Sequence, residues 1–443
     1  MQDIETAPVY RQDSAYNKLD ILIVGNPDSL FAYQLAESWE RLGAKVRILT
    51  VQKFFQGTQA ANGIDVLKAE DFVDKSHRDK WKKYSKRLRK IERLSFRWDG
   101  KKYKEARKNY VFESGMPSVE APYLNGKLLG AALEKLRPDF VFVQESYTFG
   151  GLSLFYSKTP VVLFPFGGDI YTHSQVSLVS HLYMKRVLKS ASLVMPTASS
   201  SVSYLHKTFG VPEKKVQPVS WGVDRSVFVP MNGTDKQQAL RKWNVPAGRK
   251  VILNIRRFRP GWGALVALET FIQMAETYPG EYYFVLLGGA GKDKKVLDEA
   301  AVRLRNEGLT DRILLIEDRI SLEDVAELMG ISDAFVNLMT KEDMRSFSII
   351  QGAARGSVPV LIDQPEYRHM EKDGFQAVFV PKLDPQLIAT KLHHLCSDEK
   401  NMQEITAANL EYIREKEDGI VQVKRMLDII LAHMKRQGSE NNA

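Results

Sequence analysis

Short apolar runs alternate with stretches of helical periodicity along most of the chain. The run Leu19–Gly25 reads as a buried strand, a helix follows over about Ser29–Leu42, and Gly43–Thr50 reads as a second strand. Strand, helix, glycine turn, strand is how a doubly wound α/β domain opens. The alternation resumes with a helix over Pro122–Leu136, strands at Phe140–Gln144 and Thr159–Phe164, and a long helix over Val176–Ser190. Strand Leu193–Met195, helix Ser199–Phe209 and a short strand at Val216–Ser220 complete this half. The same grammar restarts at Lys250–Ile255, with helix Ala264–Glu276, strands Tyr282–Leu287 and Ile313–Ile316, and helix Leu322–Met329. Strand Asp333–Met339, a short helix opening at Ser346, the run Val360–Ile362 and helices over Pro385–Cys396 and Met402–Met434 close the chain. The pattern predicts an α/β fold of two Rossmann-like doubly wound domains, residues 1–228 and 229–415, with no detectable internal repeat. The two are expected to face each other across a crevice lined by the carboxyl ends of both sheets. Residues 416–443 are expected to pack back toward the first domain.

Composition agrees with this frame. A chain of 443 residues with 44% hydrophobic and 26% charged residues is globular and long enough for two cores. The single cysteine, Cys396, excludes an intramolecular disulfide and argues against a cysteine-based metal site. The acidic start, Met1–Glu5, has no apolar core of a signal peptide, and no run reaches the length of a membrane span. A cytoplasmic protein is the expectation. The loop Gly25–Ser29 lacks the G-x-G-x-x-G spacing, which counts against a nicotinamide or flavin enzyme. Gly288–Lys292 lacks the spacing of a phosphate loop and reads as a turn.

Net charge adds one feature. Between Lys75 and Lys108 there are 16 Lys or Arg against 4 Asp or Glu, so this block carries +12 while the whole chain carries +9. Trp81, Tyr84, Leu88 and Ile91 recur there at helical spacing, with Leu94, Phe96 and Trp98 close behind. A basic helical insertion with an aromatic and aliphatic stripe suits an anionic membrane surface. A solvated helix packed on its own domain reads equally well. Nucleic acid is the poorer client, because the charge lies in one block and not along a groove.

Candidate chemistry concentrates in Glu342–Pro359. Ser346 is a good N-cap, and Gly352, Ala353, Ala354 and Gly356 are small. A helix N-terminus just past a strand end offers backbone N–H groups and a positive dipole end to an anion. Arg256, Arg257 and Arg259 follow another strand end and read either as a phosphate clamp or as a solvated loop. Asp169, after Phe166–Gly168, reads as a helix cap or as a group facing the crevice. No DxD pair is present and no metal is expected.

Four segments then stand in one order: V-Q-P-V-S-W-G-V-D-R-S-V-F-V-P at Val216–Pro230, I-R-R-F-R-P-G-W-G at Ile255–Gly263, L-G-G-A-G at Leu287–Gly291, and the Glu342–Pro359 stretch. Together they resemble the retaining GT-B glycosyltransferases of family 4, over roughly Leu19–Pro381 and most clearly after Lys214. The resemblance implies a GT-B fold and a UDP- or GDP-linked nucleotide-sugar donor as substrate, with no further cofactor. It implies Arg257 on the diphosphate, with Gly288 beside it and the amides of Ser346, Phe347 and Ser348 cradling it. By the same carry-over Gln351 would hold the ribose, Arg319 and Ile320 would read the base, and Asp343 or Glu342 would face the transferred sugar. Phe166–Asp169 falls on the acceptor side. Three family positions differ: Trp262 replaces the clamp lysine, Gln351 the second glutamate and Phe166 the acceptor-side histidine. Arg259 or Arg345 is expected to stand in for the lysine. The function expected is retaining transfer of a sugar to a glycan or lipid-linked acceptor in cell-surface polysaccharide or glycolipid synthesis. The alternative is a catalytically silent subunit that binds a glycosyltransferase partner or acceptor. An arginine beside Trp262 reaching the diphosphate position favours the first, an aromatic plug the second.

Overall fold

The structure, a computed structural model, describes residues 16–26, 30–51, 63–105, 119–155, 158–258, 262–288, 294–318, 320–340 and 345–440. The described residues form two compact units, one running from Trp221 to Gly419, the other combining those up to Ser220 with those from Ile420.

In the unit that ends at Ser220, strands β1 (Asp20–Val24), β2 (Lys45–Thr50), β3 (Asp65–Lys68), β4 (Phe140–Gln144), β5 (Val161–Phe164) and β6 (Leu193–Val194) form a parallel sheet in the order β3-β2-β1-β4-β5-β6. Helices cover a parallel sheet on both faces, so its inner strands are apolar throughout. β4 is buried at all five positions and β5 at all four. Trp39 of the helix Leu30–Arg41 packs edge-on against Phe142, and its Nε1 donates to the Val423 carbonyl at 3.2 Å. Through that bond the C-terminal helix joins this core.

The Trp221–Gly419 unit repeats the arrangement. β7 (Lys250–Asn254), β8 (Tyr282–Leu287), β9 (Ile313–Ile316), β10 (Ala334–Asn337), β11 (Val358–Ile362) and β12 (Val378–Val380) are parallel in the order β12-β11-β10-β7-β8-β9. Read from β9, this is the same winding as in the first sheet. Each sheet therefore reverses its winding once, between β1 and β4 and between β7 and β10. The carboxyl ends of the strands at such a reversal are where open α/β sheets bind ligands.

Two expectations are corrected. Val216–Ser220 is not a strand, because only Val216 bridges to Val194. The helix expected over Met402–Met434 is two helices, Glu399–Lys416 and Gly419–Glu440. The break lies where the Val223 N–H donates to the Glu417 carbonyl at 2.7 Å and Gly419 N–H donates to the Val223 carbonyl at 2.9 Å. Arg225 also pairs with Asp418 at 3.2 Å. Gly222 has φ +71, and a Cβ on it would lie 2.6 Å from the Gly419 Cα, so this crossing tolerates no side chain there. No helix among the described residues is long and apolar enough to cross a membrane.

Candidate functional site

At the reversal between β7 and β10, Asn254 sets the turn. Its Nδ2 donates to the Val336 carbonyl at 3.2 Å and its Oδ1 accepts from the Arg256 N–H at 2.9 Å. The side chain of Arg256 then reaches the N-terminus of the helix Phe347–Ala354, where its Nη2 donates to the Ser346 hydroxyl. Its guanidinium lies 5.9 Å from the centre of the Trp262 ring, a cation–π distance. Ser346 is the N-cap, but its hydroxyl does not cap the helix and instead lies 2.9 Å from the Ser348 hydroxyl. Guanidinium, two hydroxyls and a helix N-terminus thus converge, the group types that hold a phosphate. Trp221 packs edge-on against Phe347, with ring centres 6.1 Å apart, and supports the first turn.

The other expected site residues fall around this cluster. Arg257 is half-buried beside Arg256, and Gln351 and Ser348 are half-buried on the helix. Gly288 follows β8 and lies against Leu297, where a Cβ would be 2.1 Å from the leucine Cδ2. Ile320 packs on the core just before the helix Leu322–Ile331. Arg259, Arg319, Glu342 and Asp343 lie outside the described residues.

Arg345 requires a correction. It does not replace the missing lysine: its guanidinium pairs with Glu366 at 3.3 Å and with Glu417, both fully buried. Burial alone would push the Arg345 pKa down, but the Glu417 carboxylate and its neighbours outweigh it and hold the group charged. A cation already neutralised by two buried carboxylates has little charge to offer a leaving group. Arg256, one of three arginines that the sequence places after β7, is the one whose guanidinium reaches Ser346 and lies beside Trp262.

In the other unit Asp169 is buried, and one carboxylate oxygen accepts from the Ser146 N–H at 2.8 Å and the Phe166 N–H at 3.0 Å. These two bonds fix the turns after β4 and β5. The ring of Phe166 packs against Phe164 and Phe31. Glu145, which follows β4 directly, has a left-handed backbone with φ 54 and ψ 70.

The basic block forms the helix Lys75–Ser95, capped by Asp74. Its apolar stripe divides. Trp81 and Leu88 are half-buried and share the inner face with Ser85 and Glu92. The buried Glu92 carboxylate accepts from the Val119 N–H and the Ser177 and Ser180 hydroxyls, each at 3.1 Å. Tyr84, Ile91, Leu94 and Trp98 point outward, with 46%, 58%, 52% and 86% exposure.

Residues 235–411 match the family model Glycosyl transferases group 1. No curated protein sequence matches the chain. Among solved structures, a glycosyltransferase from Rickettsia africae ESF-5 is similar at 15% identity, covering 95% of this chain and 100% of that one, with a TM-score of 0.65. Anabaena Alr3699/HepE, solved in complex with UDP, is similar at 14% identity, covering 94% and 100%, with a TM-score of 0.68. WaaG, a glycosyltransferase involved in lipopolysaccharide biosynthesis, is similar at 13% identity, covering 93% and 99%, with a TM-score of 0.63. The fold is therefore GT-B, and the group 1 domain within the Trp221–Gly419 unit supports a GT-B glycosyltransferase.

Proposed function

We propose that this protein is a retaining glycosyltransferase that moves a sugar from a nucleotide diphosphate donor to a glycan or lipid-linked acceptor, at the cytoplasmic face of a membrane. The observation that carries the reading is Arg256, drawn onto Ser346 at the N-terminus of the Phe347–Ala354 helix beside Trp262. When the bond between the anomeric carbon and the diphosphate breaks, its electron pair passes to a phosphate oxygen. A guanidinium and a helix N-terminus aimed at that oxygen stabilise the developing charge. Arg257 would contact the same diphosphate, Gln351 the ribose hydroxyls, and Glu342 or Asp343 the sugar. UDP heads the candidate donors because HepE was solved with it.

The test is a thermal-shift screen against UDP, GDP and ADP, and against UDP-glucose, UDP-N-acetylglucosamine, GDP-mannose and ADP-glucose. A selective rise in Tm, diminished in Arg257→Ala, is expected, followed by transfer in an enzymatic assay. Absence of a shift with every nucleotide would sink the donor site and leave the silent binding subunit.

The outward stripe of the Lys75–Ser95 helix, with Trp98 in the turn that follows it, supports the membrane part of the reading. Tyr84, Ile91, Leu94 and Trp98 are exposed together with Lys82, Lys83, Lys86 and Arg87. Apolar side chains that insert and cations that meet anionic headgroups, each worth about 1 kcal/mol near the surface, would act together. The full chain is expected to float with vesicles containing phosphatidylglycerol at low salt and not with neutral ones. Ile91→Ser with Trp98→Ser should release it, as should neutralising the four cations. Equal flotation on both vesicle types would dismiss the surface.

A further inference from the structure

We propose that the Trp221–Gly419 unit carries a second ligand site, for a sugar phosphate, at the end of its sheet opposite the Arg256–Ser346 cluster. A cavity of about 400 Å³ opens there, within the roughly 300–1,000 Å³ of small-molecule sites. Two lining residues fix its place in the fold. Lys250 is the first residue of β7 and Asp333 immediately precedes β10, so the cavity lies at the amino ends of these parallel strands. Asn254, which sets the Arg256 turn, is the last residue of the same β7. At roughly 3.3 Å per residue, the strand separates the two ends by about 13 Å. The helix Phe347–Ala354 also runs between them: Ser346 at its N-cap meets Arg256, and Arg355 at its C-cap lines the cavity.

Three cations line this cavity, and each has bonding capacity left for an anion. Lys236 and Lys250 both hold Nζ 4.0 Å from the same oxygen, Asp333 Oδ1. That is beyond hydrogen-bond distance, and it sets the two ammonium groups no more than twice as far from each other, a span that the oxygens of one phosphate bridge. Lys250 also lies 3.8 Å from Glu399, a carboxylate 76% exposed to water. Neither ammonium group has a hydrogen bond among the described residues. Arg355 is anchored on one side. Its Nε donates to the Ala326 carbonyl at 2.8 Å, and its Nη1 to the Val227 and Val229 carbonyls at 3.2 and 2.7 Å, which fixes the guanidinium plane. Its Nη2 has no hydrogen bond among the described residues and lies over Gly330, another lining residue. A Cβ on that glycine would sit 2.8 Å from Nη2 and closer still to Met231 Sδ. Lys236, Lys250 and Arg355 against Asp333 and Glu399 leave the cavity net positive.

The rest of the lining selects a hydroxylated body over a bare anion. Asp333 keeps Oδ2 on the Val251 N–H at 2.7 Å, so Oδ1 is the acceptor left for a ligand. A carboxylate oxygen accepts from a hydroxyl and repels a second phosphate, which disfavours a nucleoside diphosphate here. Gln403, on the helix Glu399–Lys416, adds an exposed side-chain amide without a bond among the described residues. Met231 and Met402 supply adaptable apolar walls for the C–H face of a sugar ring. Free phosphate would use the cations alone and an uncharged sugar the remaining groups alone. A sugar phosphate uses both sets.

Isothermal titration of the full chain at constant ionic strength tests the site, with glucose 1-phosphate, glucose 6-phosphate and ribose 5-phosphate as probes. Inorganic phosphate, sulfate and glucose are the controls. At least one sugar phosphate is expected to bind more tightly than every control. Lys236→Gln with Lys250→Gln should weaken that binding by about tenfold or more, the worth of a charge-assisted hydrogen bond. Ala407 lines the cavity and is exposed, so Ala407→Trp fills the space without opening the core. It should lose binding with every charge still in place and Tm unchanged. Arg256→Ala should bind as the wild type does. No binding of any sugar phosphate, a control bound as tightly, or wild-type affinity in either cavity variant overturns the site. Binding lost in Arg256→Ala would move the ligand to the Ser346 cluster and overturn it too. The site stands apart from the glycosyltransferase reading. A nucleotide shift in Tm without sugar-phosphate binding ends this inference alone, and sugar-phosphate binding without a nucleotide shift ends the donor site alone.

Discussion

Arg256→Ala is expected to lower kcat/KM for sugar transfer on the order of 10²–10³-fold, the range seen when one charge-stabilising donor is removed from a transition state. The guanidinium is held at Ser346 before any ligand arrives, so it meets the diphosphate without reorganising. Charge on the leaving oxygen is greatest as the glycosidic bond breaks, so most of the loss should fall on kcat and the smaller part on KM. Arg256→Lys keeps the charge but not the planar fork, and an intermediate rate is expected. Removing the side chain leaves Ser346 and Ser348 in contact, so Tm should change little. Arg257→Ala serves as the comparison, and its loss should be the smaller. Steady-state kinetics on both variants decide the matter. A wild-type kcat in Arg256→Ala, or a larger loss in Arg257→Ala, would return the clamp to Arg257.

That ordering was not legible in the sequence, and the reason is physical. Arg256 and Arg257 are adjacent and chemically identical, and which one turns toward the helix depends on the Asn254 side chain bonding its backbone. The helix N-terminus itself was legible, because a serine before a run of small residues is a local signal. So were the inner strands, whose continuous apolar runs follow from burial on both faces. β3 was not, because it is a four-residue edge strand of sequence DVLK with both ends exposed. Nor was the break at Glu417–Asp418, since helical periodicity continues through it and the bonds that cause it come from Val223 and Arg225. The split of the basic helix into inner and outer faces depends likewise on Glu92 finding Ser177 and Ser180, 85 and 88 residues away. The conformation of Glu145 leaves no trace in composition or spacing.

Arg345→Met is expected to destabilise the protein by about 3–5 kcal/mol, the cost of removing one partner from a buried ion pair. The arginine is 14% exposed, while Glu366 and Glu417 are at 0% and 1%, so water cannot take over the lost contacts. Glu417 also accepts from the Tyr412 hydroxyl at 3.3 Å, and its carbonyl accepts from the Val223 N–H, so the disturbance reaches the break between the last two helices. The sign of the pH dependence follows from the stranded carboxylates. Without the cation, burial raises their folded pKa above the unfolded value. Such groups cost no stability at low pH, where both states are protonated, and the full penalty at high pH, where unfolding lets them ionise. The gap in stability between Arg345→Met and wild type should therefore widen as pH rises from acid to neutral, and denaturant titrations at several pH values measure it. Adding Glu366→Gln and Glu417→Gln to Arg345→Met should recover part of the loss, because the uncompensated charges are then gone. A gap that stays constant with pH, or a triple variant no more stable than the single one, would show that Arg345 contributes by packing and not by pairing. Arg345 directly precedes Ser346, so nucleotide affinity should fall along with stability, which ties the buried pair to the anion site without the arginine touching the ligand.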